Sequence, residues 1–243
     1  MDPVVDQAIC LRQWDYSETS QTAALFCREL GIVRVLGKGS KRNDPRFSGG
    51  LEVATLGEAV VIPKESGLAV LAGWDLRHTY RRVRSSMASY AAAMLAVELP
   101  RMLLSEDEPH AAAFDGLVRF LERVGSETWS VELAVWLWRL LTESGYRPAL
   151  DAPPPHAGFS PDLGRLVSSG ERSGARLIWR VHPTTVRGLV RLAAAETPEA
   201  GDAVRVGRLL AWYARELAGR EPASMASVFG PAVPTVAQEG GSG

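Results

Sequence analysis

The sequence predicts a chain in two parts, a small β-barrel at the N-terminus and an all-α region behind it. Three observations predict this. Short β-like runs separated by turn residues occupy residues 7 to 75, the hydrophobic period becomes helical from Leu76 onward, and several helix-length apolar stripes follow. The division is 1–75 for the barrel and 76–222 for the helical part. A loop-rich stretch lies over 146–175, and 223–243 form a tail expected to be flexible at its end.

Within the first part, Ile9, Leu11 and Gln13 alternate with Cys10 and Arg12 as in a half-buried strand. A polar stretch, Asp15 to Ser20, precedes Thr22 to Glu29, which carries Ala24 and Phe26 on one face and is closed by Gly31. Ile32 to Leu36, Gly57 to Ile62 and Leu68 to Trp74 complete the set, with Pro63, Gly67 and Asp75 as punctuation. About five strands in so short a span suggest an OB-fold, and an SH3-like barrel produces a similar pattern.

The helical part reads in order. Leu76 to Leu99 predicts a helix stopped by Pro100, with Arg77, Arg81 and Arg84 on one face. Ser105 to Pro109 predicts an acidic start to the next helix, whose stripe is Phe114, Leu117, Val118 and Leu121. Ser126 and Gly145 bracket a third helix that is apolar nearly all round, from Val131 to Leu141, and so buried at the centre. Trp136 and Trp138 belong to that core. The loop-rich stretch holds prolines 153–155 and Phe159, Ser160, Pro161 and Gly164, and Ser168 to Gly174 has a flexible composition. Pro183 opens a further helix to about Ala195. Thr197 and Pro198 open a last one to Leu217, with Val206, Leu209, Leu210, Tyr213 and Leu217 as its stripe.

One stretch stands out by charge. Arg34, Lys38, Lys41, Arg42 and Arg46 face a single acid, Asp44, across a Gly- and Ser-containing loop at a strand end. Such a mobile basic loop suits a phosphate chain, each contact releasing a bound counterion, although a charge run alone is more often a solvated turn. Arg81 and Arg84 extend the basic surface, or else pair with Glu52, Glu58 or Glu65. Trp14, Tyr16, Phe47 and Trp74 are candidates for base stacking beside the loop, with core packing or packing against the next domain the plainer reading for Trp14 and Trp74.

Net charge is −1, so nucleic-acid binding must come from a local patch. The excess of base over acid lies before residue 85, with twelve Lys and Arg against ten Asp and Glu; the remainder has fifteen against eighteen. Two cysteines, Cys10 and Cys27, support neither a disulfide framework nor a four-ligand zinc site and read as buried small hydrophobes. The N-terminus lacks the pattern of a signal peptide and no long apolar run spans a membrane, so a soluble cytoplasmic protein is expected, nucleoid-associated if it binds DNA. Gly37 to Ser40 lacks the spacing of a nucleotide-binding P-loop. The four histidines are scattered, no Gly-x-Ser-x-Gly elbow occurs, and no carboxylate couple stands out. These residues point to binding rather than catalysis, with no cofactor.

Ala8, Ile9 and Leu11, then Asp15 to Glu18, then Leu25, Phe26, Arg28, Glu29 and Gly31 follow the order of a known family. Lys38, Gly39 and Arg42 form a Lys-Gly-x-x-Arg loop, and Phe47, Gly50, Leu51 and Glu52 follow it. Glu108 and Pro109, Phe114 and Leu117, Leu140 to Tyr146, the Phe159-Ser160-Pro161 segment with Gly164, and Leu209 and Leu210 continue the match in order. Together they resemble RecO, the bacterial recombination mediator family. The resemblance implies an N-terminal OB-fold and a C-terminal helical domain. It further implies binding of single- and double-stranded DNA, annealing of complementary strands, and loading of RecA with RecR onto DNA coated by single-strand-binding protein, whose acidic C-terminal tail is contacted. By position it assigns DNA contact to Lys38 and Arg42, with Lys41 beside them. Many relatives carry two Cys pairs around the Phe-Ser-Pro segment and bind zinc there; this chain has no Cys beyond Cys27. The resemblance therefore implies a subdomain held by packing alone.

The leading expectation is a non-enzymatic DNA-binding mediator working by charge screening. A protein-interaction adaptor with little DNA affinity is the alternative. It requires a basic, apolar-floored pocket in the helical part, for which Arg119, Arg123, Arg139 and Arg176 are candidates. An RNA-binding barrel fits the first third equally well and is disfavoured by the resemblance.

Overall fold

A computed structural model describes residues 2–48, 50–151, 156–168 and 177–230. Strands β1 (Val4–Asp15), β2 (Gln21–Cys27), β3 (Gly31–Gly37), β4 (Phe47–Ser48), β5 (Leu56–Ile62) and β6 (Ala69–His78) form one sheet in the order β3-β2-β1-β5-β6-β4. A parallel pairing of Val35 with Ala69 and Leu36 with Val70 joins β3 to β6 and closes the sheet into a five-stranded barrel of the OB type. The period-two pattern explains what each face buries. Ala8, Cys10, Leu25, Val35, Val61, Leu71 and Trp74 fill the barrel, while Ile9, Leu11, Phe26 and Ile32 point outward into a second core shared with the helices. Gly57 allows Trp74 to lie inside, because a Cβ there would collide with the indole ring.

The helices are α1 (Met87–Glu98), α2 (Pro100–Leu103), α3 (Ala111–Arg123), α4 (Trp129–Glu143), α5 (Pro183–Ala193), α6 (Ala200–Ala218) and α7 (Met225–Phe229). Helix α4 is the buried centre, as its apolar circumference requires: Leu133, Trp136, Leu137, Trp138, Leu140 and Leu141 are all buried, and it packs on α3 and α6. Phe26 of the barrel meets Phe114 of α3 edge-on at 5.6 Å between centroids, which joins the two parts in one apolar core.

Several expectations are corrected. Leu76 to Leu99 is not one helix. Residues up to His78 continue β6, paired with Leu56 and Gly57, and a 3-10 turn (Arg81–Arg84) follows before α1. Strand pairing outcompetes the helical period at Leu76–His78, and Ser86 sets the start of α1 by accepting the Ser89 N–H at 3.0 Å. Pro100 does not end the helical path; it is the first residue of α2, where its missing N–H costs nothing.

The acidic residues at 106–108 do not begin α3, which starts at Ala111. They lie along β3 instead: the Asp107 N–H donates to the Ile32 carbonyl at 3.1 Å, and Glu106 bridges to Ile32. Gly31, at φ 74°, leaves room for this crossing, since a Cβ there would strike the Glu108 carbonyl. The N-caps of α4 and α6 are Thr128 and Glu199, not Ser126 and Thr197. Helix α7, packed on α1, adds an element that no sequence pattern announces.

In the loop-rich stretch, β7 (His156–Ser160) pairs with β8 (Arg165–Ser168) in a small hairpin. Phe159 is fully buried, 5.1 Å from Tyr213 and 6.0 Å from Trp179 between ring centroids, and Trp179 meets Trp212 at 6.2 Å. An aromatic cluster thus packs around the Phe159-Ser160-Pro161 segment. Prolines 153–155, the flexible composition at 169–174, Arg176 and the tail beyond Gly230 lie outside the described residues.

Candidate nucleic-acid interface

The basic loop joins β3 to β4 at one end of the barrel. It is not the free segment its glycines suggest. The Gly39 N–H donates to Ser20 Oγ at 3.2 Å, the Lys41 N–H to the Thr19 carbonyl at 3.1 Å, and the buried Ser40 hydroxyl to Gln21 Oε1 at 3.2 Å. These bonds tie it to the β1–β2 turn. Buried Phe47, paired through β4 with Trp74, anchors its far end. The backbone is thus held in place while the cationic side chains stay in water, an arrangement that lowers the ordering cost of binding a phosphate chain.

The expected site residues divide into groups. Lys38 and Arg42 are exposed, and among the described residues neither has a carboxylate within ion-pairing distance. Lys41 is bonded to Asp15 at 2.7 Å, and Arg46 is held by both oxygens of Asp44 at 2.7–3.2 Å. The Arg46 guanidinium beside it holds the Asp44 carboxyl down to about 2. Arg34 lies apart from the loop side chains, in a cleft of β3 and β5–β6 residues that also contains Glu29, Glu106 and Asp107.

Because residues 76–86 form a strand end and a 3-10 turn in place of an α-helix, Arg77, Arg81 and Arg84 do not share a helical face. Arg77 ends β6 between Asp75 at 3.0 Å and Glu58 at 3.4 Å, and Arg84 pairs with Glu52 at 2.7 Å. Pairing with Glu52 and Glu58 is the plainer of the two expectations, and it holds for these two arginines. Arg81 remains exposed and lines a 640 Å³ pocket with Arg82, Tyr80, Leu76, Leu121 and Glu122. The Tyr80 hydroxyl there is buried and has no hydrogen-bond partner.

Among the aromatic candidates, Phe47 and Trp74 are core at 6% and 1% exposure, which removes them as stacking platforms. Tyr16 and Trp14 remain, at 65% and 39%; Trp14 is not core, but it does meet the helical part through Arg101. Its ring carries two guanidiniums, Arg12 at 4.9 Å from the centroid and Arg101 of α2 at 5.6 Å. The Arg12-x-Trp14 spacing places both residues on one face of β1, a signal present in the sequence; the approach of Arg101 leaves no local trace. Of the candidates for an acidic-tail pocket, Arg119 and Arg123 converge on the buried carboxylate of Glu132 at 3.2 and 3.3 Å, while exposed Arg139 lies against Gly116.

The thiols of Cys10 and Cys27 are fully buried and pushed upward by burial, Cys10 to about 12, so they are neither nucleophiles nor thiolate ligands here. Among the described residues no three His, Cys, Asp or Glu side chains converge as metal ligands, and no helix is long and apolar enough to cross a membrane.

Comparison with known proteins places both parts of the chain in one family. Residues 1–80 match the family described as Recombination protein O N terminal, and residues 84–152 the family described as Recombination protein O C terminal. The chain is 30% identical over 176 residues to the DNA repair protein RecO of Cutibacterium acnes, covering 67% of this chain and 71% of that one. It is 31% identical over 176 residues to the protein of the same name from Thermobifida fusca, covering 68% and 71%. With that of Geobacter sulfurreducens it shares 33% over 154 residues, 63% of each chain. An OB barrel carrying the Lys38-Gly39-x-x-Arg42 loop, fused to this helical core and matched along both parts, belongs to the RecO family.

Proposed function

We propose that the chain is a non-enzymatic DNA-binding mediator of recombinational DNA repair. Its relatives carry the name DNA repair protein RecO, which supports the repair role. The observation that carries the DNA-binding reading is the pinned loop on which, among the described residues, Lys38 and Arg42 make no ion pair, Asp44 acting on Arg42 only at longer range. Two cations held in water on a fixed backbone attract phosphates without reading sequence. Strand annealing follows in this reading from neutralising two strands held close together. Loading of RecA with RecR, contact with the acidic tail of single-strand-binding protein, and association with the nucleoid are the family's roles carried to this chain. Lys41, Arg46, Arg34, Arg81 and Arg84 stand behind the leading pair, since Lys41, Arg46 and Arg84 already hold carboxylates and Arg34 lies in a mixed-charge cleft.

The test is fluorescence anisotropy of a labelled oligonucleotide over a salt series, with wild type and Lys38→Glu/Arg42→Glu. Expected is salt-sensitive binding that the double change abolishes while circular dichroism stays native. Wild type that binds no DNA even at low salt would sink the mediator reading. The adaptor reading then takes its place, with the pocket at Arg81 and Arg82, floored by Leu76 and Leu121, as the site for an acidic peptide.

A further inference from the structure

The molecule carries a second cationic surface beside the loop. Trp14 sits near the end of β1 on its outer face, opposite Thr22. Arg12, two residues earlier on that face, lies over its ring at 4.9 Å, and Arg101 reaches it from α2 at 5.6 Å. Arg101 is half-buried, and its pKa is lowered by that burial first, then by the fields of Arg12 and Arg220. Arg220 lies just past the left-handed Gly219 that ends α6, where the Ala223 N–H donates to Glu98 Oε2 at 2.9 Å and holds the segment beside the start of α2. Glu98 and Glu106 oppose this repulsion from a distance. Among the described residues none of the three arginines has a carboxylate within ion-pairing distance, whereas Arg46, Arg77, Arg84, Arg119 and Arg123 each do.

Like charges gathered at one point cost free energy in the unliganded protein, and the indole offsets only part of it. Such a cluster is relieved by an anion. Guanidiniums stacked on a ring keep their N–H edges outward, in the fork geometry that grips a phosphate. Its position indicates which anion. Asp15, next to Trp14, is bonded to Lys41 of the basic loop, and the Thr19 and Ser20 turn supports that loop. The cluster and the loop thus share one end of the β1–β2 hairpin.

We infer that Arg12 and Arg101, organised on Trp14, form with nearby Arg220 a second phosphodiester-binding site, so that a DNA strand held at Lys38 and Arg42 continues across the β1–β2 turn onto the seam between barrel and helices. The inference rests on the DNA-binding reading of the loop. It accounts for an exposed tryptophan near the end of a strand whose Ile9 and Leu11 are buried. It also gives the helical part a share in the DNA contact, through α2 and the end of α6.

The experiment extends the salt series to Arg12→Gln/Arg101→Gln, using an oligo-dT of about 20 nucleotides, longer than the ~4–16 that one OB barrel covers. The expected result is affinity reduced on the order of tenfold, with the slope of log K against log salt shallower by about 0.7 for each phosphate no longer neutralised. Arg220→Gln, at an exposed position past the helix end, gives a single decrement of about 0.7 and guards against misfolding of the double variant. If both variants match wild type while Lys38→Glu/Arg42→Glu abolishes binding, the cluster lies off the DNA path; the inference falls and the loop reading stands. If wild type binds no DNA, both fall together. If the variants keep DNA binding but lose a fluorescent acidic peptide that wild type binds, the cluster belongs to a protein partner and the inference is overturned.

Discussion

Asp44 and Arg46 show how a cation in a basic loop is withheld from solvent anions. The Arg46 guanidinium bonds both Asp44 oxygens, and the Arg46 N–H donates to Oδ1 at 2.9 Å. These bonds hold the carboxyl at about 2, below its ordinary value of 3.8. A depressed folded-state pKa contributes stability that is fully present above the ordinary value and is lost as pH falls through about 2. Between pH ~5 and ~8 the pair is therefore intact, and Asp44 contributes no pH step to DNA binding. Asp44→Asn releases Arg46, and the expected outcome in the salt series is tighter binding with a slope steeper by about 0.7. An unchanged slope would remove Arg46 from the DNA path. The pairing was only half legible in the sequence. Asp44 and Arg46 are two residues apart, but it is the turn, with the Phe47 N–H donating to the Asp44 carbonyl at 2.9 Å, that aims one at the other.

Among the elements, the β7–β8 hairpin is held by aromatic packing. Phe159 is wedged against Trp179 and Tyr213, and reciprocal backbone bonds of 2.8 and 2.9 Å join Phe159 to Trp179. Phe159→Ala is expected to cost about 3–5 kcal/mol in urea unfolding, because the large ring leaves a cavity in a rigid setting. Adding EDTA is expected to leave the melting temperature unchanged, and a marked fall would show that a metal stabilises this hairpin after all. Elements with a period of their own were legible: β1, β2, β3, β5 and α4 stand close to where alternation or an all-apolar circumference puts them. Leu76–His78 and the 106–108 segment were not. Each is decided by a strand it meets, β5 in one case and β3 in the other, and neither partner is visible in the local pattern.

At the scale of the whole molecule, the outer face of the barrel and the inner faces of the helices form one apolar core, and the barrel interior is a second. Ile9, Leu11, Phe26 and Ile32 would be exposed on an isolated barrel. The shared core predicts a single cooperative unfolding transition. Phe26→Ala, where the ring meets Phe114, is expected to lower stability by about 3–5 kcal/mol while fluorescence and circular dichroism still report one coincident transition. Two separated transitions would mean that barrel and helices unfold independently.

The sequence by itself determined the division into a β and an α part, the burial of α4, the site of the basic loop and the absence of cysteines for a zinc site. These follow from composition and short-range period, which each residue reports on its own. Tertiary structure decided which cations are free and which face each other. Lys38 and Lys41 sit in one loop, yet only Lys41 meets Asp15, because the β1–β2 turn lies against one side of that loop. Arg12, Arg101 and Arg220 belong to a strand, a short helix and a helix terminus far apart along the chain. Only the docking of the helical part on the barrel brings Arg101 to Trp14 beside Arg12, because side-chain proximity at that range is set by how elements dock and not by any local pattern.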